Sequence, residues 1–170
     1  MIIKNCKIGM TNNFKNPKNS IFDYIVRDCN SKDVKLDIYK NYKNILIVNV
    51  ASYWGLTNKN YEELEYLYKK YDNLMILGFP CNQFGNQEPK TNKEIQEFVK
   101  NKNVTFPVFS KIDVNGNNED PLYTYLKKNK SSFFGRDIKW NFTKFLCVDG
   151  IPVERFGPQR NPLSFEDKIN

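Results

Sequence analysis

Ile45-Leu46-Ile47-Val48-Asn49-Val50 is a near-continuous apolar run, and it constrains this chain more than any other stretch. A strand with one wet face alternates apolar and polar residues, whereas a strand covered on both faces does not. The run therefore reads as the central strand of a sheet with helices on each side. It leads into the turn Ala51-Ser52-Tyr53-Trp54-Gly55-Leu56-Thr57 and then into a helix. Thr57 or Asn58 is placed to cap that helix, with Glu62 and Glu63 in its first turn and Lys69 and Lys70 in its last. Along it Tyr61, Leu64, Leu67 and Tyr68 recur at helical spacing and are expected to face the sheet. A strand–turn–helix junction aims backbone N–H groups at the side chain on the turn, a setting that lowers a thiol's pKa or holds an anion. The side chain there is Trp54, which donates one hydrogen bond and has no nucleophilic atom to offer.

The remaining elements follow from local patterns. Residues 1–20, rich in Asn and Lys, read as a flexible arm, and residues 21–170 as a single domain. Ile21–Arg27 and Val34–Asp37 read as two short strands forming an N-terminal β-hairpin around Cys29-Asn30-Ser31-Lys32. Leu74–Phe79 is a second buried strand, stopped by Pro80, and Thr91 or Asn92 starts a helix to about Lys100. Pro121 opens another helix, through Lys128. Phe142–Val148 and Ile151–Phe156 read as a hairpin turning at Asp149-Gly150, with Pro152 putting the second strand toward an edge. Leu163–Asn170 reads as a short final helix. Strand–helix–strand, then helix, then an antiparallel hairpin, is the order of a thioredoxin-like α/β fold with a central mixed sheet.

Composition removes several classes of function. The chain has no histidine, which excludes Ser-His-Asp and Cys-His catalysis and most zinc sites. Cys6, Cys29, Cys81 and Cys147 are far apart and form neither a CxxC nor a metal-ligand pair, so no metal is expected. Isolated thiols, with no apolar signal core at the N-terminus, point to a cytoplasmic protein. A net charge of +7 favours acidic partners such as anionic thiols or lipid headgroups, while the absence of a basic aromatic module argues against nucleic acid.

Three polar segments flank the predicted strands: Asn49–Thr57, Cys81–Pro89 and Trp140-Asn141. In α/β folds, loops at the carboxyl ends of parallel strands converge on one site. Gln87, Trp140 and Asn141 are neutral donors, and donors focused on one atom favour its anionic form without supplying a proton. A thiolate or selenolate in a chain without a histidine base needs such donors.

The motifs NVASYWGLT with NYEELEYLYKKY, FPCNQFGNQEP and KWNFTKFL closely resemble the glutathione peroxidase family, and most nearly its small, monomeric phospholipid-hydroperoxide branch. The resemblance runs in order from about Ile21 to Leu163. It implies reduction of hydroperoxides by a cysteine or selenocysteine that becomes a sulfenic or selenenic acid and is regenerated by glutathione or a thioredoxin-like thiol reductant, with no bound cofactor. Gln87, Trp140 and Asn141 fall on the family's supporting residues, and Trp54 falls on the nucleophile itself. The helical segment EIQEFVKN lacks the resolving cysteine of thioredoxin-using members, which is the pattern of the selenocysteine branch. Selenocysteine is encoded by UGA, a codon some systems read as tryptophan; the alternative origin is a one-base change from a cysteine codon. The short Lys130–Lys139 segment predicts a monomer with an open, flat site for lipid hydroperoxides at a membrane surface. An open site lets the Trp54 ring lie across it and contact Trp140, whereas a closed one would cost about 1–3 kcal/mol in overpacking. Two alternatives stand beside the peroxidase: a catalytically inactive member acting as a binding or redox-signalling module, and an enzyme using Cys81.

Overall fold

The computed structural model describes residues 18–169. Four strands form the main sheet in the order β4 (Leu74–Pro80), β3 (Asn44–Val50), β5 (Lys144–Val148) and β6 (Ile151–Phe156). Strand β3 runs parallel to β4 and antiparallel to β5. Every residue of β3 and β4 is buried, as the apolar runs require. Alternation along β3 sends Ile45 and Ile47 to one face, with Leu122, Tyr123 and Leu126 of α3 (Pro121–Asn129). Leu46, Val48 and Val50 join the other face, with Tyr61, Leu64 and Leu67 of α1 (Thr57–Lys70) and Ile95 and Val99 of α2 (Asn92–Asn101). Both faces are covered, so the strand has no wet side on which a polar alternation would be favoured.

The hairpin at Asp149-Gly150 forms as expected, both residues taking positive φ (49° and 80°). Gly150 also carries a docking contact: its carbonyl accepts the Ile21 N–H at 3.0 Å, and a Cβ there would lie 2.6 Å from the Phe22 ring. Gly150→Ala is therefore expected to cost about 1–3 kcal/mol in chemical denaturation, from backbone strain and ring displacement together. Strand β6 lies at the sheet edge, and Pro152 pairs with Cys147 at the irregularity in the ladder.

Several boundaries differ from the sequence reading. Strands β1 (Ile25–Arg27) and β2 (Asp33–Lys35) form the N-terminal hairpin, but each expected strand is shorter. Ile21–Asp23 is instead a 3-10 turn, because Ser20 and Asp23 cap it reciprocally. Leu36–Tyr39 forms a second 3-10 turn that buries Leu36. Pro80 closes β4 from within, paired with Val50. Leu56 occupies the cap position of α1, Thr57 is its first residue, and Glu62 and Glu63 lie beyond the first turn. The final helix is a kinked 3-10 segment, Pro162–Lys168. Of the N-terminal arm, residues 1–17 lie outside the described residues, while Asn19 is tied to the fold through its carbonyl, which accepts from the Tyr125 hydroxyl at 2.8 Å.

Candidate active site

Strand direction places the site. Strands β3 and β4 are parallel, so the loops after Val50 and Pro80 leave the sheet at the same end. Strand β5 is antiparallel to β3, so the Trp140–Thr143 segment enters at that end too. The three polar segments singled out from sequence therefore meet. The Tyr53 N–H donates to Gln87 O at 3.1 Å, joining the first two, and the Phe142 N–H donates to Asn49 O at 2.7 Å, joining the first to the third.

Asn49 opens the first of these segments in the sequence reading but is given no role there. It is fully buried near the end of β3, its Nδ2 donates to Trp140 O at 3.1 Å, and its Oδ1 accepts the Thr143 N–H at 3.0 Å. One carboxamide thus clamps the backbone on both sides of Asn141 and Phe142, where Phe142 adopts a positive φ of 58°. The signal was present: a polar residue inside a run buried on both faces needs a built set of partners.

Within the site, Asn141 Nδ2 donates to Gln87 Oε1 at 2.6 Å. Two of the three expected donors are therefore bonded to each other instead of each standing free toward position 54. The bond turns the Gln87 oxygen toward Asn141, leaving its NH2 as the outward donor. Asn141 is fully buried and Gln87 half-buried, while Trp140 is 37% exposed and packs against Phe84 with ring centroids 5.8 Å apart. Gly85 holds the loop close: at φ +62°, an added Cβ would stand 3.4 Å from both the Trp140 ring and Gln87 Cδ.

Trp54 lies at the head of α1, half-buried, with its indole stacked on Phe142 (centroids 5.9 Å, planes at 21°) and not on Trp140. Of the two arrangements open to the ring, neither the Trp140 contact nor overpacking is taken: Phe142, which meets Tyr61 edge-to-face, carries the core out to the indole. Thr57 fixes the turn: its hydroxyl accepts the Trp54 N–H at 3.1 Å and donates to Ala51 O at 2.8 Å. Exposed Tyr53 stands beside the site, with the Lys90 ammonium 5.3 Å from its ring centre.

Among the described residues the cysteines offer no substitute nucleophile at this surface. Cys81 is fully buried, its Sγ donating to Gln83 Oε1 at 3.5 Å, and burial pushes its thiol pKa up, away from the reactive thiolate. Cys147 is buried in β5, where burial likewise raises its pKa. Cys29 is half-buried, and Cys6 lies outside the described residues. Among the described residues no cluster of His, Cys, Asp and Glu could hold a metal ion.

Beneath the turn, Glu88 is fully buried and neither carboxyl oxygen has a hydrogen-bond partner of good geometry. Burial raises its pKa above the ordinary 4.5, while nearby Ser52 and Lys111 pull it partly back. A carboxyl whose folded pKa is raised is at no disadvantage below its unfolded value. It destabilises the fold as pH climbs from there through the folded value. Glu88→Gln is therefore expected to be more stable than the parent at pH 7, with the difference shrinking toward pH 4 in urea melts.

Proteins of similar sequence and structure identify the family. Residues 21–127 match the glutathione peroxidase family model. A probable phospholipid hydroperoxide glutathione peroxidase of Citrus sinensis is 54% identical over 156 residues, covering 89% of this chain and 93% of that protein. Probable glutathione peroxidase 2 of Arabidopsis thaliana is 52% identical, covering 91% and 93%. Among solved structures, GPX1 of T. cruzi superposes with a TM-score of 0.73 at 38% identity, covering 89% of this chain and 94% of that one. A thioredoxin-family thiol:disulfide interchange protein of Chlorobium tepidum shares the fold at 12% identity and a TM-score of 0.61, covering 86% and 90%. The thioredoxin-like fold is thereby established, and the chain belongs to the glutathione peroxidase family.

Proposed function

We propose that this site is a hydroperoxide-reducing centre in which position 54 is the nucleophile's place, and that the chain carrying Trp54 turns over little or no peroxide. The observation that carries this reading is the joined Gln87–Asn141 carboxamide pair, at 2.6 Å, beside the turn that bears Trp54. With a thiol or selenol at position 54, the Gln87 NH2, the remaining Asn141 N–H and the Trp140 indole N–H favour its anion. The anion attacks the terminal peroxide oxygen, the O–O bond breaks, and the departing alkoxide takes up the proton released by the thiol or selenol. Two thiols then return the sulfenic or selenenic acid to its starting state, forming a disulfide and water.

Helix α2, NKEIQEFVKN, contains no cysteine to resolve the intermediate internally, which supports direct regeneration by glutathione. The names of the relatives support a phospholipid hydroperoxide as substrate. The exposed Trp140 and Tyr53 support an open site able to take a bulky one. Scattered unpaired cysteines support a reducing, cytoplasmic setting, and the short segment before β5 supports a monomer.

A second reading is favoured by one observation: the Trp54 ring is accommodated, stacked on Phe142 within the core cluster. Such packing suits a non-enzymatic member acting as a binding or redox-signalling module. The codon at position 54 in native transcript separates the two: UGA supports a recoded selenocysteine, and UGG supports a protein that carries tryptophan. Hydroperoxide consumption by Trp54→Cys beside the unaltered chain tests whether the surrounding site is intact.

A further inference from the structure

Between Arg136 and Thr143 the chain carries Trp140 and Asn141 but lies in no strand or helix, and β5 begins only at Lys144. Ile138, Asn141, Phe142 and Thr143 are buried there, so their backbone groups need partners that no sheet ladder supplies. Side chains supply them. Arg155 of β6 donates to Arg136 O at 2.7 Å and to Asp137 O at 2.9 Å. Asn49 of β3 holds Trp140 O and the Thr143 N–H. Between these two anchors stands Asn115, whose Oδ1 accepts the Ile138 N–H at 2.9 Å and whose Nδ2 donates to Ile138 O at 2.8 Å. One carboxamide thus pairs with Ile138 as a neighbouring strand would, two residues before Trp140.

Asn115 is itself held from two directions. Its Oδ1 also accepts from the ammonium of buried Lys127 at 3.1 Å. Lysine only donates, so this bond fixes Oδ1 as the atom beside the Ile138 N–H. Lys127 pairs in turn with Glu119 and with Asp137, the latter at 3.3 Å. The Gln83 carboxamide grips the Asn115 backbone. Its Oε1 accepts the Val114 and Asn115 N–H groups at 2.7 and 3.1 Å, and its Nε2 donates to Asn115 O at 2.8 Å. Gln83 belongs to the loop that carries Gln87, and its Oε1 also receives the Cys81 thiol at 3.5 Å. A bonded path therefore runs from the Gln87 loop through Gln83 and Asn115 to Ile138, and along the chain to Trp140 and Asn141. The same two segments also meet directly, where Asn141 donates to Gln87 at 2.6 Å.

We propose that Asn115, gripped by Gln83, is the positioning residue that holds Trp140 and Asn141 in place beside position 54. A single bond between two loops leaves a hinge about it, whereas a second link away from the first fixes their orientation. Donors that must converge on one atom need that orientation set before reaction begins. The inference deepens the hydroperoxide-reducing reading by naming what holds its donors, and its catalytic meaning rests on that reading. The placement of Trp140 requires no turnover, so the two fail separately.

The experiment uses the full chain with Trp54→Cys, in which Trp140 is the sole tryptophan and its fluorescence reports its own surroundings. Adding Asn115→Ala is expected to shift Trp140 emission and raise its quenching by acrylamide, as the indole loosens from Phe84. The thiol at position 54 should titrate at higher pH, and kcat for a small hydroperoxide should fall on the order of tenfold. Asn115→Asp keeps an acceptor for the Ile138 N–H and Lys127 but loses the donor to Ile138 O, so it should fall between the two. Gln83→Ala, at an exposed position, should move the emission in the same direction by less. A lowered melting temperature with unchanged Trp140 emission and thiol titration would make Asn115 a brace of the fold alone and overturn the proposal. If Asn115→Ala does not fold, Gln83→Ala decides, and an unchanged Trp140 spectrum there overturns it equally. If Trp54→Cys consumes no hydroperoxide, the peroxidase reading fails while Trp140 emission still tests the positioning.

Discussion

Trp54→Cys is expected to raise kcat/KM for hydroperoxide reduction on the order of 10³-fold or more over the chain as written, because a missing nucleophile is among the largest single losses a site can suffer. An indole supplies neither a lone pair that attacks the O–O bond nor a proton to the leaving oxygen. Cysteine supplies both, and it removes a large ring from a turn whose backbone is already fixed by Thr57. Loss of the Phe142 stack exposes that ring and costs some stability, so activity should be compared well below the melting temperature of each form. Glutathione-coupled consumption of a small hydroperoxide measures the gain. If Cys81→Ser in the unaltered chain abolished an existing activity, the buried thiol would be the nucleophile and the assignment of position 54 would be wrong.

The second large effect belongs to Asn141. In the Trp54→Cys background, Asn141→Ala is expected to lower kcat/KM on the order of 10²-fold, the scale for losing one preorganised donor in a charge-stabilising site. The substitution removes the Asn141 N–H and also frees Gln87 Oε1, so the Gln87 NH2 is no longer held outward. The thiol's titration supplies the diagnostic: its pKa should rise in Asn141→Ala, because fewer donors favour the anion. A variant that loses activity with its thiol pKa unchanged would assign Asn141 a structural role instead.

The fold was legible where local pattern and tertiary environment say the same thing. The run through Val50 had to be a doubly covered strand, and Asp149-Gly150 had to turn a hairpin, because each pattern has one inexpensive solution. Positions 54, 87, 140 and 141 were legible as loop residues bound to converge, since strand direction alone brings three loops to one end of a sheet. Their mutual chemistry was not. The bond between Gln87 and Asn141, across 54 residues of sequence, is set by side-chain geometry that no periodicity encodes. Asn49 was absorbed into an apolar run because counting hydrophobicity hides the one polar member whose partners make the site. Thr57 was read as a cap of α1, while its hydroxyl instead braces the turn before it.

The most direct measurement of the central claim treats Trp54→Cys with one equivalent of hydroperoxide, traps sulfenic acid, and locates the modified residue by peptide mass spectrometry. The account predicts one trapped oxygen at position 54, with Cys29, Cys81 and Cys147 unmodified, and faster loss of peroxide than in the Trp54 chain. Trapped oxygen on Cys81, or no preferential oxidation at position 54, would contradict it.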